Sequence, residues 1–159
     1  MDWTTLLFSF TGRINRGKYW LAILIYMLAW VAFIAVALTW LGGFDTDRLF
    51  SFVGAALLIW LGAIVLAVAG TWSGFATGIK RLHDRGKSGW WIVLFWFGPS
   101  VLSGSNSAMS DMQGSILLSF VGSVIAIWGF IELCCLRGTH GPNQYGPDPL
   151  APTNHAPRI

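Results

Sequence analysis

The stretch LFSFVGAALLIWLGAIVLAVAGTWSGFATGI, residues 49–79, has no Asp, Glu, Lys, Arg or His in 31 positions, and it runs directly into KRLHDRGKSGWW, residues 80–91. A helix needs about 20 apolar residues to cross the roughly 30 Å hydrocarbon core of a bilayer. The first segment is therefore long enough to span a membrane. The second gathers six ionisable side chains in its first eight positions, where such a helix would leave the lipid.

Three further charge-free runs, of 26, 23 and 20 residues, cover residues 19–44, 88–110 and 112–131. The chain is 55% hydrophobic and 11% charged, whereas soluble domains are roughly one-quarter charged. These patterns predict an all-α polytopic membrane protein with four transmembrane helices in a single membrane domain, residues 1–150. We expect the spans at about 19–42, 52–79, 89–108 and 112–133.

The third span is the weakest of the four. Its strongly apolar part, residues 90–102, has only 13 residues and would have to continue into the polar SGSNSAMS. Pro99 is expected to kink the helix, because proline removes a backbone donor and clashes with the preceding turn. A loose or broken outer end is therefore expected.

The distribution of Lys and Arg predicts the orientation, because cytoplasmic loops of membrane proteins are enriched in both. With four spans, one side holds nine basic residues and the other only Arg48. Both termini are therefore expected in the cytoplasm. A re-entrant third run would move the tail across and weaken the split to seven against three. The nine are Arg13, Arg16, Lys18, Lys80, Arg81, Arg85, Lys87, Arg137 and Arg158.

The segments that flank the spans have patterns of their own. Trp3, Leu6, Leu7 and Phe10 lie at i, i+3, i+4 and i+7, which predicts a short amphipathic interfacial helix at about 2–12; the alternative is a frayed start. The Gly-Pro and Asp-Pro pairs of residues 137–149 predict a turn-rich cap with Tyr145 tucked against the helices. The alternative is a partner-binding segment, and residues 150–159 are expected to be disordered.

The sequence brings ten polar residues together as a cytoplasmic charge cluster, structural or lipid-binding. Basic side chains near an anionic leaflet contribute about 1 kcal/mol each, so much of the cluster is expected to anchor the turn. We also predict that Asp84 pairs with Arg13 or Arg16, and Glu132 with Arg81 or Arg85. The alternative is a solvated acid with only local neighbours. The cluster comprises Arg13, Arg16, Lys18, Lys80, Arg81, His83, Asp84, Arg85, Lys87 and Glu132.

Small residues recur at four-residue spacing on two spans. In lipid, close backbone approach over such residues is a main source of helix association. We therefore expect the second and fourth spans to pack together within one chain; the alternative is homodimerisation through the glycines. The residues are Gly70, Gly74 and Gly78 in one span and Ser115, Ser119 and Ser123 in the other.

Three blocks, FSFTGRINRGKYW (residues 8–20), RLHDRGKSGWW (81–91) and GTHGPNQYGPDP (138–149), resemble in order the signatures of the bacterial inner-membrane family catalogued as domain of unknown function 805, DUF805. The resemblance implies a small multi-pass protein of the inner, or plasma, membrane with no established activity. The connection between the last two spans, SGSNSAMSDMQGS (residues 103–115), departs from the family, because it is longer and more polar than the short Pro/Gly turn that the resemblance implies there. The resemblance implies no catalytic residues.

No catalytic or metal motif stands out in the sequence, and we expect neither catalysis nor a cofactor. Cys134 and Cys135 are adjacent, which suits neither a disulfide framework nor a metal site. The favoured interpretation is a lipid- or protein-interacting module with a basic cytoplasmic face. Its expected partners are anionic membrane lipids, another copy or an unknown membrane protein, and no nucleic acid.

Two other classes stay open. An oligomeric pore or transporter for a small neutral solute is one, although none of the charge-free runs holds the ionisable group that coupled carriers use. An enzyme acting on lipid headgroups is the other. It would hold phosphate with arginines and use His83 or Asp84 as acid or base, and its arginines would be Arg13, Arg16, Arg81 and Arg85.

Overall fold

The computed structural model describes residues 2–42, 49–104 and 112–151, and in these ranges the chain forms helices and turns with no β-strand. The last helix ends in a π-helical turn, in which Leu136 N donates to Ile131 O at 3.1 Å. The elements are α1 (Trp3–Phe8), α2 (Arg16–Gly42), α3 (Leu49–Asp84), α4 (Trp91–Gly104) and α5 (Met112–Phe130), followed by the π-helical turn Ile131–Cys135.

Three of these helices are long and apolar enough to cross a membrane: Arg16–Trp40, Gly54–Asp84 and Gly114–Cys135. Their side chains are widely exposed, as a surface in contact with lipid requires; those of Leu57 and Trp60 are 66% and 70% exposed. The fourth helix, α4, has 14 residues and contains Pro99, so it reaches about 21 Å at 1.5 Å per residue. The remainder of the expected third span, residues 105–108, lies outside the described residues.

A tight turn joins α3 to α4. Gly86 adopts a left-handed conformation with φ 70°. Its N–H donates to His83 O at 3.0 Å, and Lys87 N–H donates to Leu82 O at 2.9 Å. This pair of hydrogen bonds is a Schellman C-cap, which favours glycine because a side chain is strained at positive φ. The basic stretch of residues 80–91 therefore ends one helix and begins the next, as expected.

The small residues of α3 and α5 contact helices other than those predicted. A Cβ at Gly74 or Gly78 of α3 would run into Trp96 or Ile92 of α4, and Gly70 faces Tyr26 of α2. On α5, Gly122 lies against Pro99 of α4. The predicted packing of the α3 glycine face on the small residues of the fourth span is therefore wrong. The α3 glycines make room for large side chains from α2 and α4, whereas Gly122 brings α5 against backbone atoms of α4 at Pro99.

On α5, the side chain of Ser123 turns back to its own helix and donates to Ser119 O at 2.9 Å. Ser119 and Ser115 take part in further interactions of the described chain. A serine that bonds to the carbonyl four residues earlier satisfies its hydroxyl within the helix. Ser123 therefore uses its hydroxyl within α5.

The interfacial helix α1 is shorter than expected, because it ends at Phe8 and the chain is extended at Ser9. Asp2 caps it and accepts from Thr4 N at 3.1 Å. The hydroxyl groups of Thr5 and Thr4 lower the pKa of the Asp2 carboxyl to about 2. Phe10, expected on the same helical stripe, lies beyond the helix, and its ring packs edge-on against Trp72 at 5.2 Å.

The buried core lies at one end of the helices, which we call the basic end: the start of α2 at Arg16, the end of α3 at Asp84 and the end of the π-helical turn at Cys135. Its apolar members come from α1 to α4, from the segment before α2 and from the π-helical turn. They are Leu6, Ile14, Tyr19, Leu82, Ile92, Phe95, Leu133 and Cys134. The tail, residues 136–151, folds across this end.

Candidate functional site

The basic end is built around the carboxylate of Asp84. Arg13 donates to Asp84 Oδ1 from Nε at 3.2 Å and from Nη2 at 3.1 Å. Arg81 donates to Oδ2 from Nη1 at 2.5 Å. The side chains of Arg13, Arg81 and Asp84 are 1%, 0% and 4% exposed. The predicted pairing of Asp84 with Arg13 is therefore present, and it is desolvated.

Arg13 also holds the tail. Its Nη1 donates to Gly141 O at 2.8 Å and to Gly146 O at 3.2 Å, and its Nη2 donates to Thr139 O at 2.7 Å. One guanidinium group thereby connects the segment before α2, the end of α3 and the tail. Charge-assisted hydrogen bonds of this kind are roughly twice as strong as neutral ones.

The tail approaches Asp84 so closely that only glycine fits at position 138. Thr139 N–H donates to Asp84 O at 2.8 Å. A Cβ at Gly138 would overlap the Asp84 carboxylate. The absence of a side chain at this position therefore allows the tail to cover the buried ion pair.

Arg81 secures the end of the last helix. Its Nε donates to Leu133 O at 2.9 Å, and its Nη2 donates to Leu136 O. Carbonyl groups in the last turn of a helix have no partner within the helix. The buried guanidinium supplies donors to these carbonyls as well as a counter-charge to Asp84.

Glu132 forms a second centre of charge. Arg85 Nε donates to Glu132 Oε1 at 2.9 Å, and Lys87 Nζ lies 3.2 Å from the same oxygen. Of the two partners predicted for Glu132, Arg85 is the one found. Lys87 Nζ also lies 5.6 Å and 5.4 Å from the ring centroids of Trp91 and Trp128, within the range of cation–π attraction.

Lys80 is used in a way that the sequence analysis missed. Its Nζ donates to Thr5 O at 2.7 Å and to Leu6 O at 2.6 Å. Both oxygens belong to α1, so the buried ammonium ties this short helix to α3. The contact could have been predicted from the last carbonyl groups of α1, because the carbonyl groups at the end of a helix lack partners within the helix and attract cationic donors.

His83 packs against the tail. Its ring stacks on Tyr145 with the centroids 3.9 Å apart and the planes 3° from parallel. Its Nδ1 lies 3.3 Å from Gly12 O, and Asn143 Nδ2 donates to His83 O at 2.9 Å. Tyr145 is therefore tucked against the helices, as expected of the cap.

Asp148 stabilises the fold of the tail itself. Its carboxylate accepts from Leu150 N at 2.9 Å and from Gly141 N at 3.0 Å. These two backbone donors lower the pKa of the Asp148 carboxyl below its ordinary value. Asn143 and Gly146 exchange backbone hydrogen bonds at 3.0 Å. The tail therefore forms turns through residue 151, and the rest of the segment expected to be disordered, residues 152–159, lies outside the described residues.

Two arginines of the basic end keep exposed side chains. Arg16 reaches Cys135 O at 3.5 Å, which is the limit of a hydrogen bond, and does not pair with Asp84. Arg137 is exposed, and Lys18 is half-buried. Within the described ranges, neither arginine forms an ion pair.

A cavity of about 260 Å³ opens beside these two arginines, between the start of α2 and the tail. In the part of the chain that the structure describes, no three His, Cys, Asp or Glu side chains are grouped as they would be around a metal ion. The lining residues are Asn15, Arg16, Asp84, Arg137, Gly138, Thr139, His140, Asp148 and Leu150.

Comparison with known proteins identifies similar chains. Residues 7–147 match the family described as "Protein of unknown function (DUF805)". The Escherichia coli K12 "Uncharacterized protein YiiR" is 33% identical over 142 residues, covering 89% of this chain and 86% of the relative. The "Inner membrane protein YhaH" of the same strain is 28% identical over 94% of this chain and 97% of the relative.

The "Inner membrane protein YhaI" of this strain is likewise 28% identical, over 92% of this chain and 90% of its own length. No solved structure matches this chain. The three sequence blocks that carry the resemblance contribute Arg13, Asp84 and the tail segment of residues 138–149, and the structure brings all three together at the basic end.

Proposed function

This chain belongs to the DUF805 family, and from this premise we propose that it is a multi-pass inner-membrane protein that binds anionic phospholipid through its basic end without catalysing a reaction. In this proposal the basic end faces the cytoplasm and both termini lie on that side. In this proposal α4 belongs to the third of four spans.

The orientation is supported by the distribution of charge. Four spans put nine of the ten Lys and Arg residues on the side of the basic end, as expected for a cytoplasmic surface. Two of the relatives are named inner membrane proteins. A reporter fused after residue 151 should be active only if it is of a cytoplasmic type; activity of a periplasmic reporter there would contradict the orientation.

The observation that supports lipid binding is that some basic residues are buried and bonded within the chain, whereas others are exposed. Arg13, Lys80 and Arg81 are buried against acids and carbonyl groups of the chain itself. By contrast, Arg16 and Arg137 stay exposed beside an open cavity. Exposed basic side chains near an anionic leaflet contribute about 1 kcal/mol each, so these two are the strongest candidates to meet lipid headgroups.

The same contacts weaken the enzyme alternative. That hypothesis assigned phosphate binding to four arginines, and three of them, Arg13, Arg81 and Arg85, are engaged with carboxylates of the protein. The ring of His83, its candidate acid or base, is stacked beneath Tyr145. A non-catalytic role fits these contacts better.

The test is native mass spectrometry of the full chain, purified in a neutral detergent from a membrane that contains anionic phospholipid. Wild type should retain anionic lipid, and Arg16→Gln with Arg137→Gln should retain clearly less. The matched control is a single charge change, Arg48→Gln, in the loop that the sequence places on the opposite side. Absence of retained anionic lipid from wild type, or an equal loss in the control, would refute the proposal.

A further inference from the structure

The cavity at the basic end is lined by two arginines that are exposed, Arg16 and Arg137. They come from distant parts of the chain, the first residue of α2 and the start of the tail. Asn15 and His140 add an amide and an imidazole to the lining. The folding of the tail thus creates a small polar chamber, which neither segment would form alone.

The charges around this chamber favour an anion. The two acids that line it are Asp84 and Asp148. The Asp84 carboxylate already binds Arg13 and Arg81, whereas Asp148 accepts only backbone N–H groups among the described residues. The two lining arginines and the two arginines bound to Asp84 together carry four positive charges against two carboxylates, which is an excess of two positive charges. The negative charge of Asp148 opposes a bound anion.

We propose that this chamber binds one phosphate group, preferably a phosphomonoester, between Arg16 and Arg137. A guanidinium group is planar and presents paired donors that match phosphate oxygens, which makes arginine the favoured side chain for this ligand. A monoester carries −1.5 to −2 charges near pH 7 and three strong acceptor oxygens. Two guanidinium groups can donate to all three of these oxygens, whereas a phosphodiester has fewer free oxygens to accept.

The chamber lies where a lipid phosphate would reach it. Arg16 is the first residue of a helix that is long and apolar enough to cross the membrane, so the chamber sits at the border between that span and water. A lipid phosphomonoester and a soluble phosphoester offer the same chemistry here. The inference deepens the proposed lipid binding and rests on it for the lipid source, whereas the soluble source is independent of it.

The experiment compares two short-chain lipids and one soluble phosphoester. The full chain in neutral detergent is titrated with dioctanoyl phosphatidic acid, dioctanoyl phosphatidylglycerol and glycerol 3-phosphate, and bound species are counted by native mass spectrometry. Wild type should bind phosphatidic acid roughly tenfold more tightly than phosphatidylglycerol, as expected for additional hydrogen bonds to a charged group. Arg16→Gln and Arg137→Gln should each remove most of this preference.

Two further variants separate a built site from diffuse attraction. Lys18→Gln removes the same charge from the same end, but Lys18 does not line the chamber; it should weaken both lipids equally and preserve their ratio. Arg137→Lys keeps the charge and loses the paired donors, so its ratio should fall between those of wild type and Arg137→Gln. Each variant counts as folded if its melting temperature lies within about 2 °C of wild type, which corresponds to a change of about 1 kcal/mol or less in the free energy of unfolding.

Each outcome decides between the two claims. If both lipids bind but the chamber variants keep the wild-type ratio, the chamber inference is wrong and the proposed lipid binding stands. If no anionic lipid binds but glycerol 3-phosphate does, and Arg137→Gln abolishes it, the chamber stands with a soluble ligand and the lipid proposal fails. If none of the three binds wild type, both are refuted.

Discussion

Replacing Asp84 with Asn removes the one carboxylate that two buried guanidinium groups share. The amide keeps the shape of the side chain, but it carries no charge and has a single acceptor oxygen. Arg13 and Arg81, with side chains 1% and 0% exposed, would be left without a counter-charge. The substitution therefore tests whether this buried pairing holds the basic end together.

The expected loss is large because the pair is desolvated. Removing one partner of a buried ion pair costs about 3–5 kcal/mol, whereas an exposed pair contributes roughly 0–1 kcal/mol. For a chain of this size, each kcal/mol corresponds to about 2–4 °C in Tm. Asp84→Asn should therefore lower the melting temperature in detergent by on the order of 10 °C, measured from tryptophan fluorescence and from the loss of the monodisperse peak.

Asp148→Asn is the matched control, because the Asp148 carboxylate accepts only backbone N–H groups in the described structure. It should shift Tm much less. The double exchange Arg13→Asp with Asp84→Arg should restore part of the loss, but not all of it, since Arg13 also binds carbonyl groups of the tail. A melting temperature for Asp84→Asn as close to wild type as that of Asp148→Asn would refute the buried pairing.

Three other substitutions probe the contacts around the tail and α1. Gly138→Ala places a methyl group in the space of the Asp84 carboxylate, so the tail should be cut faster in limited proteolysis. The control is Gly104→Ala, whose Cβ meets nothing within 4 Å and which should not change the rate at which the tail is cut. Lys80→Met removes two hydrogen bonds to α1, worth about 1.5–3 kcal/mol each for a charged donor, so amide hydrogen exchange in α1 should accelerate while that of α4 is unchanged. Tyr145→Ala removes the ring stacked on the α3 imidazole and should cost about 0.5–1.5 kcal/mol beyond the lost burial; Tyr145→Phe keeps the ring and should melt close to wild type.

The helical architecture is largely readable from the sequence, because the absence of charge over 20 or more residues admits few alternatives to a membrane helix. The turn after α3 is readable too, since Gly86 follows the basic end of a long apolar run. The end of α1 is not. The apolar stripe extends to Phe10, but packing of that ring on Trp72 takes it out of the helix.

The ion pairs of the site are also predictable, because Asp84 and Glu132 are scarce acids surrounded by bases. The carbonyl groups that accept from Lys80, Arg81 and Arg13 could not be predicted, because every residue carries a backbone carbonyl and the sequence does not distinguish one from another. The predicted packing of the α3 glycines on the small residues of α5 was wrong for a related reason. Small residues indicate where a helix is approached closely, but they do not specify whether a backbone or a large side chain approaches.

The bridge made by Arg13 has a consequence for the order of events during synthesis. The ribosome makes the chain from its N-terminus, so Arg13 is complete long before Thr139 and Gly141, whose carbonyl groups it binds. Until the last helix has been inserted and residues 138–149 have emerged, the three charges of Arg13, Arg81 and Asp84 lack their cover. A chain released before that point would expose them to water and to proteases. Burial of the ion pair thus requires a chain that has been synthesised through the tail segment.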